Sequence, residues 1–368
     1  PKIELAPVAI EEGEAQLYME GVSLFADMQE AIAGARDTIL FETFIWKDDE
    51  TGQAFRDLFI EKAREGVNVH LMYDLAGNGV LGGSRLTFPD DIPTLHVQRY
   101  VPFTRWFHFL LPWRYSSTHR KALVIDGKLG YVGGYNIGED YRTEWRDTHM
   151  SIAGDGALRL AYAFVDLWNQ YRDDALPELH YPEQKWSNVL DVYRNDPLRK
   201  IYPIRSIYLR AIERAQKRVL ITNAYFVPDP IFRRALIQAA KRGVSVEVVL
   251  PWRSNHAVVD YVARHWFEEY LEAGVRLYGY EGAMIHTKTM TIDGMWSTVG
   301  TANLDRLSLG FNHEINMEIF DERVAAQMEN VFACDLEASR EIDLGRWRAR
   351  PFRMRFGERV LAPLWPIV

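Results

Sequence analysis

Cysteine is all but missing from this chain. Cys334 is the only one in 368 residues, which excludes an internal disulfide and permits a reducing compartment, with the cytosol as the default. Long apolar runs are missing too: no stretch approaches the roughly 18 consecutive apolar residues of a spanning helix, and no signal peptide is visible. The chain begins at Pro1 without an initiator Met, which leaves room for an anchor segment ahead of it. Positive charge is in deficit, since 43 Lys and Arg against 51 Asp and Glu give a net charge of -8. That balance speaks against a general nucleic-acid coat and leaves local basic patches open. The remainder is ordinary for a soluble globular protein, 48% hydrophobic and 26% charged, in a chain long enough for two domains.

Against these absences stands a repeat. The pattern H-x-K-x4-D at His119, Lys121 and Asp126 returns at His286, Lys288 and Asp293, 167 residues later. Seven residues past each Asp lies a glycine, Gly133 or Gly300, and three further on an asparagine, Asn136 or Asn303. Two motif copies with matching surroundings imply two similar halves that bring the same groups to one shared site.

The flanking pattern repeats as well. Residues 14–19, 24–35 and 38–46 read as strand, helix and strand; residues 189–193, 204–216 and 218–226 read the same way. An amphipathic helix follows each, with Phe55, Leu58, Phe59 and Ala63 on one face in the first half and Phe232, Leu236, Ile237 and Ala240 in the second. Gly66 and Gly243 stand where a left-handed cap is wanted, and apolar strands over 67–73 and 244–250 come next. Each half is therefore expected to contain a βαβ unit with parallel pairing. The polar, proline-containing segment 172–187 reads as the linker. The expected domains are residues 1–180 and 181–368.

Each motif reads as a strand, over 122–125 or 289–292, then a turn at Gly127 or Gly294, then a second strand. Side chains two apart on a strand share a face, so His119 points with Lys121 and His286 with Lys288. Asp126 and Asp293, five residues past the Lys, fall at the turn and are expected to anchor structure. Two His, two Lys and two Asn around one point suit a phosphodiester. Lys and Asn donors hold the non-bridging oxygens and the added charge of a pentacoordinate transition state. One imidazole attacks phosphorus and the other protonates the leaving oxygen, then deprotonates the incoming alcohol or water. Asp147 and Glu314 each lie 28 residues past a motif histidine and are candidates to orient the rings, in a pairing the sequence leaves open. No metal and no cofactor are expected, because convergent carboxylate or Cys ligands are lacking and Lys121 and Lys288 repel a cation.

The doubled motif resembles the phospholipase D superfamily over nearly the whole chain. Residues 131–141 with Glu144-Trp145-Arg146-Asp147, and residues 300–308 with Asn312-His313-Glu314-Ile315-Asn316, are similar to the catalytic blocks of bacterial cardiolipin synthases. The runs Tyr73-Asp74-Leu75-Ala76-Gly77-Asn78 and Asn223-Ala224-Tyr225-Phe226-Val227-Pro228 match that family too. The two N-terminal membrane helices of many members are not in this sequence. The resemblance implies transfer of a phosphatidyl group from one phosphatidylglycerol to a hydroxyl of another with release of glycerol, and it favours His119 as nucleophile with His286 as general acid and base. Rival readings are a phospholipase D hydrolase, a phosphatidylserine synthase, a phosphodiesterase nuclease and, from another class, an inactive membrane scaffold. Both copies retain every polar element, which disfavours the last.

A lipid enzyme must also reach its substrate. Trp106, Phe107, Phe109 and Trp113, beside Arg105 and Arg114, form an aromatic and basic cluster just before His119, a candidate membrane-dipping lip. A second candidate is the tail, where Arg348 and Arg353 lie among interleaved Arg and aromatic residues. The expected architecture is α/β, with two homologous phospholipase D-like α/β/α halves whose mixed sheets pack about a pseudo-twofold axis. The expected partners are phospholipid substrates and the membrane surface, without nucleic acid. No oligomer is required for the active site, and a peripheral place on the cytoplasmic face of a bacterial membrane is expected.

Overall fold

The computed structural model describes residue 3 and residues 5–11, 13–81, 86–101, 116–183 and 187–367. Two eight-stranded mixed sheets form the molecule. In spatial order the first contains Val8–Ile10, Gly13–Glu20, Arg146–Gly154, Leu129–Gly133, Ala122–Ile125, Thr38–Thr43, Asn68–Asp74 and Leu95–Tyr100. The second contains Ser339–Glu341, Arg276–Tyr280, Ser245–Pro251, Arg218–Asn223, Lys288–Ile292, Trp296–Gly300, Ile315–Phe320 and Leu190–Arg194. Thr38–Thr43 runs parallel to Asn68–Asp74, and Arg218–Asn223 parallel to Ser245–Pro251, through one helix each, Glu50–Arg64 or Pro230–Lys241. Asp49 and Asp229 cap the starts of these helices through their carboxylates. Gly66 and Gly243 leave the ends at φ of 96° and 91°, where a Cβ is disfavoured.

The two sheets meet face to face. Val132, Met150 and Ile152 of the first pack against Val299, Ile315, Met317 and Ile319 of the second in one buried cluster, which helix Asp155–Tyr171 closes with Leu160, Phe164 and Trp168. After that helix the chain crosses between the halves and is pinned there, Trp168 Nε1 donating to the carbonyl of Pro177 at 2.8 Å and Asn169 pairing twice with the backbone of Leu179.

Two expectations about strand length need correction. The strands expected over 38–46 and 218–226 stop at Thr43 and Asn223: side chains capture the amides that follow the first, and at the end of the second the Asn223 side chain turns to a distant amide. Asn136 Oδ1 accepts from Ile45 N at 3.0 Å, Asn78 Oδ1 from Trp46 N at 2.6 Å and Asn223 Oδ1 from Leu304 N at 3.1 Å. Among the described residues no helix is long and apolar enough to cross a membrane.

Candidate active site

Backbone pairing between the halves builds the site. His119 N donates to the carbonyl of His313 at 2.9 Å, and His286 N to that of Arg146 at 2.7 Å. These are short parallel bridges, Thr118 with His313 and Arg146 with Ile285. Each motif histidine is thus fastened to the residue just before the other half's carboxylate. The imidazoles follow the backbone: His119 Nδ1 lies 3.1 Å from both oxygens of Glu314, and His286 Nδ1 lies 2.7 Å from Asp147 Oδ2. The orienting pairs are crossed, each half supplying the acid for the other's base. A carboxylate on Nδ1 keeps a proton there and turns Nε2 toward a substrate.

Alternation along the chain sorts the rest of each motif. Lys121 Nζ donates to its neighbour's carbonyl, His119 O, at 2.7 Å, and Lys288 does the same to His286 O. Arg120, between them in sequence, points the other way and donates to Ala163 O at 3.0 Å on the packed helix. Asp126 and Asp293 lie at the far ends of their strands, at φ of 51° and 55°. Asp126 accepts from the amides of Arg36, Asp37 and Thr38, and Asp293 from those of Gln216, Lys217 and Arg218. Neither reaches the histidines; each clamps a helix end to a strand start. Asn136 spends its carbonyl on Ile45 N, and its side chain also hydrogen-bonds the Tyr141 phenol. Asn303 is buried, and its Oδ1 has no hydrogen-bond partner among the described residues.

Burial dominates the electrostatics. It holds the His119 pKa below the usual 6.5, with Glu314 pulling the other way. Burial, Lys288 and Lys121 push His286 well below that value. Burial lowers Lys121 to about 7 and Lys288 to about 8, against the attraction of Glu314 and Asp147. An anionic phosphodiester among these groups reverses the trend, since it favours every protonated form. Two influences on His286 oppose each other: the 2.7 Å contact to Asp147 favours an imidazolium, while burial and Lys288 favour the neutral ring. Among the described residues no three or more His, Cys, Asp or Glu are grouped so as to hold a metal ion.

Several residues enter the site without having been singled out from sequence. Thr301 Oγ1 donates to Glu314. Arg146, in a bidentate buried pair with Asp335 at 2.9 and 3.0 Å, steadies the carbonyl that receives His286 N. Asp74 accepts from Thr118 N at 2.8 Å behind His119, and burial raises its pKa to about 6. The rings of Trp145 and Tyr225 stand 5.1 and 6.0 Å from His286, and Phe44 stands 5.1 Å from His119. Trp145 and Tyr225 belong to runs that carried the family resemblance, but nothing in their spacing announced a place beside a histidine. Gly134 is explained by contact: a Cβ there would fall 2.1 Å from Asp147 Oδ1.

The lipid-binding candidates divide. Trp106, Phe107, Phe109 and Trp113 lie outside the described residues. The ends of that stretch converge, Tyr100 reaching the carbonyl and hydroxyl of Ser116 at 3.1 and 2.9 Å. Arg348 is engaged with Glu268 at 2.8 Å and with Glu272, so it ties the tail to helix Phe267–Glu272. Arg353 is exposed on helix Phe352–Leu361.

Comparison with known proteins extends this geometry. Residues 28–163 and 208–336 match the family described as cardiolipin synthase, PLD-like domain. A cardiolipin synthase of Staphylococcus aureus (strain Mu50 / ATCC 700699) is 30% identical over 97% of this chain and 74% of its own length. Cardiolipin synthase A of Pseudomonas entomophila (strain L48) is 33% identical over the whole chain and 78% of its own length. The crystal structure of phosphatidylserine synthase from Haemophilus influenzae Rd KW20 superposes with a TM-score of 0.74 at 15% identity, over 99% of this chain and 97% of that one. The last likeness concerns the fold alone.

Proposed function

The chain belongs to the cardiolipin synthase family of phospholipase D-like proteins, and from that premise we propose how its two motifs work. It is a phosphatidyltransferase acting on phospholipids, a cardiolipin synthase by the full-length likeness to that family. The observation that carries the mechanism is the crossing of the orienting pairs, which leaves each half unable to act without the other.

His119 Nε2 attacks the phosphorus of a phosphatidylglycerol. As the N–P bond forms, the bond to the glycerol oxygen breaks, and His286 gives that oxygen its Nε2 proton. Glycerol departs and phosphatidyl-His119 remains. His286, now neutral, takes the proton from a hydroxyl of a second phosphatidylglycerol. That oxygen attacks phosphorus, the N–P bond breaks and cardiolipin forms. Lys121 and Lys288, with the amides of Asn136 and Asn303, hold the non-bridging oxygens throughout. A division of the chain at residues 180 and 181 is compatible with this reading, in which each part contributes one histidine and one carboxylate.

Water competes with the second alcohol, because a phosphohistidine is readily hydrolysed when solvent reaches it. The aromatic stretch around Trp106, Phe107, Phe109 and Trp113 is the proposed barrier, dipping into the bilayer so that the acceptor arrives from the membrane side. A peripheral site on the cytoplasmic face suits that route, and no second copy of the chain is needed to complete the centre.

The test is to mix pure protein with phosphatidylglycerol, resolve the lipids and measure glycerol. Cardiolipin and glycerol in equal amounts are expected; phosphatidic acid as the main product would make the protein a hydrolase. Trapping the adduct on His286 instead of His119 would exchange the two roles. Replacing Trp106 and Phe109 by Glu should raise the phosphatidic acid fraction, and an unchanged rate and product ratio would remove the barrier from the scheme.

A further inference from the structure

Helix Phe352–Leu361 is amphipathic with its apolar stripe turned outward. Its inner side rests on helix Ala257–Arg264, where Gly357 lies against the ring of Tyr261 and buried Glu358 pairs with Arg350 at 2.5 and 3.0 Å. On the opposite side Phe352, Phe356 and Val360 are 74%, 56% and 55% exposed, with the two phenylalanine rings 5.9 Å apart. At about 100° per residue these three fall within a stripe about 80° wide. Arg353 borders it on one side and Arg355 and Arg359 on the other, all exposed. A helix that merely covers a core turns such a stripe inward.

The charge of this region runs against the rest of the chain. The whole sequence has a net charge of -8, yet residues 346–359 contain six Arg and one Glu. A cavity of about 250 Å³ opens beside the helix, with Trp252, Trp347, Arg346 and Met354 in its lining. An apolar stripe edged by arginines is complementary to a bilayer surface that carries negative headgroups.

We propose that this helix docks the protein on a bilayer containing anionic phospholipid. Phe352, Phe356 and Val360 enter the acyl boundary, while Arg353, Arg355 and Arg359 meet the phosphates. The proposal rests on the reading that the substrates are membrane lipids, but not on the chemistry of the histidines. The supporting helix also connects the surface to the site. Asn255 and His256, just ahead of Ala257–Arg264, hold Tyr225 through a 2.7 Å hydrogen bond and a ring contact of 5.4 Å, and Tyr225 stands beside His286. Beyond the docking helix, Trp365 lies 5.8 Å from the Arg306 guanidinium, three residues past Asn303. Docking there fixes how the site faces the membrane.

The experiment is sedimentation with vesicles of phosphatidylcholine, with and without phosphatidylglycerol. The proteins are the full chain, Phe352→Glu/Phe356→Glu and Arg353→Ala/Arg355→Ala/Arg359→Ala. The arginine variant should lose on the order of 100-fold in affinity for the anionic vesicles, and the phenylalanine variant at least about tenfold. Both should keep the parent's melting temperature and its transfer rate on detergent-dispersed phosphatidylglycerol. Unchanged vesicle binding in both variants overturns the proposal. So does a parent that is dimeric in lipid-free buffer and becomes monomeric in the phenylalanine variant, because a second copy then covers the stripe. If the binding losses appear but the parent transfers nothing in either assay, docking stands and the assigned reaction falls.

Discussion

Replacing Lys121 with Met removes a charge from a place that opposes charge, so the variant is expected to be more stable and nearly inactive. Lys121 is buried, and among the described residues its ammonium meets the carbonyl of His119 at 2.7 Å and the face of Phe44 at 5.3 Å. Burial brings its pKa from 10.5 to about 7. At ~1.4 kcal/mol for each tenfold change, that drop corresponds to about 5 kcal/mol held against the folded state. Methionine fills similar volume but forfeits the hydrogen bond, worth ~1 kcal/mol, and the contact with the ring. It also leaves Glu314 with one cation fewer, which His119 compensates by protonating more readily. A net gain of about 1–3 kcal/mol remains, or roughly 2–6 °C for a chain of this size. The sign depends on pH. The folded pKa is lowered, so between about 7 and 10.5 the folded state holds fewer protons than the unfolded one, and the parent regains stability as pH rises. The advantage of the variant is full below pH ~7 and shrinks toward pH ~10. Calorimetry from pH 6 to pH 9.5 on both proteins reads this directly, and transfer should fall by about 10²–10³ for the lost oxyanion donor. A variant that melts below the parent at pH 6 to 7, or whose advantage does not shrink with pH, would refute the reasoning.

Glu314→Gln and Asp147→Asn should each lower kcat by ~10³–10⁴ with the fold intact, since each leaves one imidazole in the wrong tautomer; a loss below about tenfold would show that the crossed pairs do not orient the rings. For the free enzyme, the acid limb of kcat/KM should lie below 6.5, where the nucleophile His119 takes a proton, and kcat/KM should fall as pH rises, first as His286 loses the proton it must donate and further through about 7 to 8, where Lys121 and Lys288 lose theirs. Asp126→Asn weakens three backbone contacts at an exposed turn and should cost ~1–3 kcal/mol in stability while sparing activity; normal melting with lost activity would reverse that assignment. Gly134→Ala should cost at least tenfold in kcat, because the new methyl would displace Asp147, and activity at the parent level would mean that the carboxylate tolerates the shift.

The parts of this protein that were legible in sequence are those in which local order and chemistry coincide. The βαβ units showed in the apolar spacing of Phe55 and Phe59 and of Phe232 and Leu236, because a helix face must repeat every three or four residues to be buried. The ends of strands were less legible. Asn136, Asn78 and Asn223 take backbone amides from distant segments, and such capture is decided by spatial neighbours. The outward stripe of Phe352, Phe356 and Val360 has the same spacing as an inward one, so only its surroundings distinguish the two.

The sequence by itself pointed to phosphodiester chemistry, through two His, two Lys and two Asn at matched offsets, because donors and paired bases of those types suit a phosphodiester. It also named both carboxylates, by their equal distance from the histidines. It left open which acid serves which base. Only the tertiary structure decided that, since the partner depends on where His119 and His286 are fastened, and their amides bond to the carbonyls of His313 and Arg146 in the opposite half. The exchange of partners is a property of two packed sheets, and no spacing along one chain can express it.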